Sequence, residues 1–554
     1  MNANGAKKPT QWNEVNWRIS NKRVRNLRQR IFRATHEKDF KKVLSLQKLM
    51  LRSYANTLLS VRRVTQENSG KSTAGVDHVI IKSVAAKSKL VDELMTFQTW
   101  KAQPTKRVYI PKSDGKLRPL GIPTVIDRCL QARVKNALEP HWESQFEIDS
   151  YGFRPGRGCH DAIEAIFNRA RPQCKWKWVI DADIKGAFDN ISHEKLLQLI
   201  NHFPAKELIK QWLKAGYMDK NVFHETTSGT PQGGVISPLL ANIALHGMEE
   251  ALGIKQNRQW EGQSPKNKHA LVRYADDFIV FCISKEDAES TVKILIEWLA
   301  QRGLKLSEEK TRIVHLTDGL DFLSFNVRLY QNATARYGYK LLIKPSGKAE
   351  KAIRFKLKQE WKTCNGNNVD MVIKRLNPII RGWANYHKSN VASAVFGRLD
   401  HWMYYRTYRY VRYNYPNRSI KWIRERHWGR LHPTSKNNWV FGNKKTGRFL
   451  LLFSWFPQKR HIKVRGAASP DDPSLRDYWT KRQLSKIDDL PKWKINIAKL
   501  QNYKCPVCGE FVNNGEQLHV HHHVPKRRGG TDKRENLKLV HLYCHQQLHG
   551  SKAT

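Results

Sequence analysis

"LVRYADDFIVFC" (residues 271–282) seats two adjacent carboxylates, Asp276 and Asp277, between two short runs of Leu, Val, Phe and Ile. Runs of that length read as buried β-strands, so Asp276 is expected at the tip of a hairpin whose packed arms hold it still. Neighbouring carboxylates repel each other, which costs free energy unless a divalent cation lies between or beside them. For the tetrapeptide alone, an Asp-rich turn is an equally good account. Upstream, "KWVIDADIKGAFDNIS" (177–192) is a second apolar strand ending in Asp181 and Asp183, with Phe188 shortly after. Three acids from two strands can share a cation pair. Ions about 3.5–4 Å apart activate an attacking 3′-hydroxyl and neutralise the departing pyrophosphate, which makes phosphoryl transfer the natural chemistry.

The whole chain points to a polyanionic partner. Among 554 residues, 98 Lys and Arg face 49 Asp and Glu, a net charge of +49 that repels itself unless nucleic acid neutralises it. The length calls for several domains. No apolar stretch approaches the roughly 20 residues of a spanning helix, so no membrane partner is expected. The opening "MNANGAKKPTQWNEVNW" lacks the pattern of a secretory signal or an organellar presequence, and a bacterial cytoplasm, in association with the nucleoid, is the expected location. Of eight cysteines, Cys129, Cys159, Cys174, Cys282 and Cys364 are scattered among apolar neighbours and read as reduced core residues; Cys505, Cys508 and Cys544 have ligand-like neighbours.

From Trp17 to Val64, apolar residues recur at helical intervals with basic residues between them, giving two or three basic helices. "NSGKSTAGVD" (68–77) is a loop. Strand-like and helical pieces alternate between about 105 and 330, an α+β pattern. Between Leu341 and Arg430 there are 20 Lys or Arg and five Asp or Glu, with "RLDHWMYYRTYRYVRYNYP" placing aromatics among the cations, as a helical, RNA-facing segment would. Pro and Gly in "GAASPDDPS" (466–474) read as a linker before the last unit.

"YADD" together with "DIKGAF" resembles the palm of reverse transcriptases, and further pieces resemble the group II intron-encoded subclass. They include "NSGKSTAGVD", "YIPKSDGKLRPLGIPTVIDRCLQ", "YGFRPGRGCHDAI", "SGTPQGGVISPLLANIALHGME", "GLKLSEEKTRIVHL" and "FLSF", in the family's order. The resemblance implies a right-hand polymerase with Asp183, Asp276 and Asp277 as ligands of two Mg2+ ions, and it leaves Asp181 as a structural or outer carboxylate. It implies that Phe188 screens the sugar 2′-hydroxyl and that Lys112 and Arg118 meet the triphosphate of an incoming dNTP. Gln232 then lies beside the nucleotide, and Lys310 is a candidate proton donor. "IKRLNPIIRGWANYHK" (373–388) resembles the thumb, or maturase domain, and implies splicing assistance by binding intron RNA.

The tail, "CPVCGEFVNNGEQLHVHHHVPKRRGGTDKRENLKLVHLYCHQQLHG" (505–550), holds two ligand sets. Cys505 and Cys508 form a C-x2-C pair and His541 with Cys544 an H-x2-C pair, four ligands suited to structural Zn2+. His521, His522, Asn536, His545 and His549 stand in the order of an HNH endonuclease, a ββα-metal fold. That resemblance implies His522 as general base, Asn536 as its orienting residue, and His521, His545 and His549 as ligands of Mg2+ or another divalent cation. The family commonly has four cysteines at the zinc, and His541 departs from that. His545 and His549 are one helical turn apart and can face one ion. His523 reads as a bystander.

The expectation is therefore an α+β multidomain protein. Residues 1–335 are an N-terminal extension with fingers and palm, 336–415 an α-helical thumb, 416–485 a DNA-binding region with linker, and 486–554 the HNH unit. The expected activities are RNA-directed DNA synthesis, maturation of intron RNA, and nicking of target DNA. The competing readings are a splicing-only RNA-binding maturase and a reverse transcriptase of another retroelement class.

Overall fold

The computed structural model describes residues 9–96, 99–111, 115, 117–257, 262–487 and 490–550. Three helices open it, Trp17–His36, Phe40–Arg52 and Tyr54–Arg62. Each begins where a short polar side chain accepts from the first turn: Asn16 from the Ile19 amide, Asp39 from Lys42 and Ser53 from Asn56. Such caps stabilise a helix by about 1 kcal/mol each. Their apolar faces, among them Val24, Ile31, Leu46 and Met50, are buried with Val134 and Leu138 of the helix Val125–Glu143.

The sheet that carries "YADD" has four antiparallel strands, in the spatial order Arg312–His315, Trp178–Asp183, Asp277–Cys282, Ala270–Tyr274. The continuous apolar runs are explained by burial on both faces. Ile180, Phe278 and Val280 pack against Leu240, Ile243 and Leu295, while Val179, Ile279 and Phe281 pack against Ile163, Ile166 and Phe325. Phe278, Ile279, Val280 and Phe281 are fully buried, a contribution of about 1.5–3 kcal/mol each. A second four-stranded sheet pairs Thr105–Pro111 with Leu117–Ile122 and continues through Tyr217–Asp219 to Val222–His224.

Beyond Tyr339–Pro345 the chain turns helical: Gly347–Thr363, Val369–His387, Ser393–Asn414 and Ile420–His427. These helices have their own core, which includes Leu357, Leu376, Ile380 and Leu399 and takes in Phe441 from a small three-stranded sheet. The tyrosines divide as their helix rotates: Tyr410 is buried, whereas Tyr404, Tyr405 and Tyr413 face solvent among arginines. The segment 466–474 is not a free linker. Arg157 donates to the Gly466 carbonyl at 2.7 Å, Asp471 pairs with Arg28 at 2.7 Å, and Ser469 is fully buried. Pro and Gly keep the segment out of longer helices and strands, with only a 3-10 turn starting at Pro473, yet it is packed.

The last unit pairs Leu518–His522 antiparallel with Leu537–His541 and ends in the helix Leu542–Gly550, a ββα arrangement. Among the described residues no helix is long and apolar enough to cross a membrane.

Candidate active sites and metal centres

Strand register assembles the carboxylates. Asp183 lies directly opposite Asp277, Asp181 opposite Ile279, and Tyr274 opposite Asp277, so Ala275 and Asp276 form the two-residue turn. Alternation along a strand puts Asp181, Asp183 and Asp277 on one face of the sheet. Ala275 has φ 60°, the left-handed value a tight hairpin turn needs. The turn rests on parts that the sequence did not reveal. At Gly152, of "YGFRPG", an added Cβ would lie 2.3 Å from the Ala275 amide nitrogen, so only glycine lets the turn sit there. The fully buried Arg273 donates to the Ala275 carbonyl at 3.3 Å and to Asn242 at 3.2 Å, and Asn242 donates to the Gly152 carbonyl at 2.8 Å.

The site is electrostatically crowded. Desolvation, followed by the Asp276 and Asp183 charges, pushes the Asp277 carboxyl up to about 7 although its side chain reaches solvent. Asp276 is raised too, chiefly by burial, with Asp183 adding to it and Arg118 and Lys310 opposing it. Lys310 pairs with Asp183, and that hydrogen bond raises its ammonium. Asp181 is held apart by Arg312 at 2.9 Å on the neighbouring strand, which suits an outer carboxylate better than a ligand. Hard oxygen donors that repel one another fit a pair of divalent cations.

Of the other expected residues, Gln232 and Phe188 are neighbours of Asp189. Arg118 is exposed on its strand, close enough to lower Asp276. Gln232 donates to Asp189 at 3.3 Å, beside Phe188, and its carbonyl accepts from the Gly121 amide at 2.7 Å. The neighbouring Gly233, at φ 127°, would place a Cβ 2.7 Å from the Gly121 carbonyl oxygen. Phe153, half exposed at φ 59°, stands edge-on to Phe188 with ring centroids 6.2 Å apart; its place in "YGFRPG" was the available signal. Lys112 lies outside the described residues.

Among the described residues, three sets of ligand-type side chains have all donor atoms within 4.8 Å of one another: Cys505–Cys508–His541–Cys544, His521–His545–His549, and His269–Cys282–Asp287. In the palm, the Asp277 carboxyl lies close enough to Asp183 for a side-chain hydrogen bond. In the third set Asp287 is already paired with Lys268 at 2.6 Å and His269 at 3.1 Å.

The four-residue knot is buried and fits a tetrahedral ion. His541 Nδ1 faces Cys508 Sγ at 3.3 Å while its Nε2 lies 3.2 Å from the Phe511 carbonyl. A donor proton on Nε2 leaves Nδ1 as the ligand atom. The histidine set is partly exposed, with His545 and His549 ring centroids 4.5 Å apart and His521 within 5.4 Å of both. Burial, then the neighbouring His549, His521 and His519, lowers the His545 pKa, which favours the neutral imidazole a metal would need. His519, two residues before His521, packs on His545 at 5.4 Å.

His522 bonds through Nε2 to Asp532 at 2.7 Å, and Lys526 meets the same carboxylate at 2.7 Å. Asn536 straps the intervening loop: its Oδ1 accepts from the Val524 amide at 2.7 Å and its Nδ2 donates to Thr531 and Val524 carbonyls at 2.8 and 3.0 Å. Asp532 was not singled out in the sequence, because nothing local distinguishes it from other loop carboxylates.

Residues 110–327 match the family described as reverse transcriptase (RNA-dependent DNA polymerase), and residues 12–94 the N-terminal domain of reverse transcriptase. Residues 351–428 match the group II intron maturase-specific domain and 505–551 the HNH endonuclease family. The group II intron-encoded protein LtrA of Lactococcus lactis subsp. cremoris is 34% identical over 348 residues, 51% of this chain and 55% of that one. The chain thus spans little more than half the length of that relative. Protein YkfC of Escherichia coli (strain K12) is 33% identical over 335 residues, 53% of this chain and 86% of its own. A 91 kDa protein in cob intron of Schizosaccharomyces pombe is 26% identical over 570 residues, 88% of this chain and 68% of its own. With its carboxylate hairpin, maturase segment and ββα histidines in one order along one chain, the protein belongs to the group II intron-encoded reverse transcriptase family.

Proposed function

We propose that the protein is a group II intron mobility factor with three activities: RNA-directed DNA polymerase, maturase for its intron RNA, and endonuclease that nicks target DNA to expose the priming 3′ end. The observation that carries the reading is the register of the palm, where Asp183 opposes Asp277 and Asp276 caps the turn beside them. Asp183, Asp276 and Asp277 would hold two Mg2+ ions, which would supply activation of the primer hydroxyl and charge neutralisation for the departing pyrophosphate. Lys112 and Arg118 meet the dNTP triphosphate, where a fixed guanidinium can form paired hydrogen bonds. Phe188 excludes ribonucleotides by contact with a 2′-hydroxyl, and Gln232 borders the same nucleotide.

The thumb takes residues 336–415, after 1–335 for the N-terminal extension, fingers and palm. Exposed Tyr404, Tyr405 and Tyr413 among arginines suit stacking on unpaired RNA bases. Binding the folded intron in preference to unfolded forms stabilises the active RNA. Residues 416–485 contact target DNA, and 486–554 form the nuclease, with structural Zn2+ at Cys505, Cys508, His541 and Cys544. His522 acts as general base: with Nε2–H donated to Asp532, Nδ1 takes the proton of the attacking water. Asn536 fixes the loop behind it, and His521, His545 and His549 hold a divalent cation. The site of action is the nucleoid of a bacterial cytoplasm.

The test is primer extension on an RNA template with the full-length protein. Asp276→Ala abolishes synthesis while leaving RNA binding within about twofold, since binding rests on the basic surface. Persistent synthesis would refute the palm assignment.

A further inference from the structure

The cysteine–histidine knot sits in the same apolar core as the N-terminal helices. Cys505, Cys508 and Cys544, each 1–2% exposed, pack with Trp17, Leu58 and Val61. The seam is closed by polar contacts that join the two ends of the chain. Gln547 Nε2 donates to the Asn13 and Val15 carbonyls at 2.8 and 3.0 Å, and Asn21 Nδ2 donates to the Cys508 carbonyl at 3.2 Å. Arg25 pairs with Glu510 across the same seam. At Gly509 an added Cβ would press to 3.1 Å of Arg18.

Arg62, the last residue of the third helix, is the hub. Its side chain is 3% exposed, its Nη2 lies 3.4 Å from Cys544 Sγ and 3.5 Å from Glu516, and its Nε lies 3.0 Å from Glu67. The guanidinium also covers the Trp17 ring at 4.7 Å. Three thiolates and one neutral imidazole around a divalent ion sum to a single net negative charge, placed here where water cannot screen it. A buried charge needs a partner, and a guanidinium reached over from another unit provides one at the sulfur itself. Metal binding couples to folding, so an ion at these four donors would also shape the surface they present to Trp17 and Val61.

We propose that this knot is an interdomain latch: the ion held by Cys505, Cys508, His541 and Cys544, with Arg62 as its outer counter-charge, clamps the nuclease unit onto the N-terminal helices. The latch rests on the reading of those four residues as a metal site. Its consequence is that metal occupancy sets whether the nuclease and the N-terminal end of the polymerase unit behave as one body. Arg62 is a positioning residue, acting through Cys544.

The test uses the full-length protein and two readouts, metal content and hydrogen–deuterium exchange. Reconstitution with cobalt(II) gives one tightly held ion with a thiolate-to-metal absorption band. Stripping the metal then raises exchange at least tenfold in 505–544 and, by the proposal, also in 12–17 and 54–62. Arg62→Met releases cobalt to a chelator at least tenfold faster and shifts the absorption band, and Arg62→Lys recovers part of both. Gln547→Ala keeps the ion but raises exchange at Asn13–Val15, which carries the test if Arg62→Met does not fold. If stripping the metal loosens 505–544 alone, the latch is overturned and the knot is a private prop of the nuclease. If the wild type shows no thiolate–cobalt band, the four-ligand reading fails before the latch is reached.

Discussion

Asp183 comes from one strand, and Asp276 and Asp277 from the turn and start of another far along the chain, and the three repel one another; His521, His545 and His549 come from one strand and one helix and carry no charge when deprotonated. The two clusters therefore need different scaffolds. The carboxylates are held together against their own repulsion by a sheet buried on both faces and by a turn wedged on Gly152. The histidines need only a small ββα frame, because nothing pushes them apart. The three histidines offer one donor atom each within 4.8 Å of one another. Like-charged ligands demand a rigid core, and neutral ligands can be carried by a small module.

If the two clusters are independent, a change in one should leave the other's activity intact. His522→Ala should lower DNA nicking by about 10²–10⁴-fold, the usual contribution of a general base, and leave primer extension unchanged; loss of both in a folded protein would mean one shared site. Asp532→Asn, which weakens the carboxylate hydrogen bond to His522 Nε2, should slow nicking by about 10–100-fold, less than removing the base.

The two clusters should also differ in their response to acid. The Asp277 carboxyl, pushed up to about 7 by desolvation and its acidic neighbours, must be deprotonated to bind a cation. The Mg2+ concentration needed for half-maximal extension should therefore rise as pH falls through about 7, by up to about tenfold per unit for one competing proton. His545 is lowered, so it remains a neutral ligand to more acidic pH. The metal requirement for nicking should move later and less, and titrations of both activities from pH 8 to 6 distinguish the two. The smallest effect is expected at Phe188. Phe188→Ala should admit ribonucleotides without abolishing DNA synthesis, measured by competition between rNTP and dNTP; undiminished discrimination would give the screening role to Phe153, its edge-on neighbour.

What could be read from the sequence was what depends on local periodicity. The strand–turn–strand of "LVRYADDFIVFC", the basic helices before Val64, and the histidines one turn apart all follow from spacing. The support beneath the turn was hidden, because Gly152, Asn242 and Arg273 meet only when distant segments pack. Composition also misled at 466–474, where Pro and Gly announced a break in regular structure yet Asp471 and Ser469 are buried against the body of the protein. Asp532 and Arg62 acquire meaning only from what they touch.

Whether Asp183, Asp276 and Asp277 gather divalent cations at the point of strand growth can be decided by anomalous scattering. Crystals of the full-length protein with primer–template, a non-hydrolysable dNTP and Mn2+ should show two anomalous peaks among these three carboxylates, both lost in Asp276→Ala. Peaks confined to the C-terminal clusters, with the palm carboxylates bare, would contradict it.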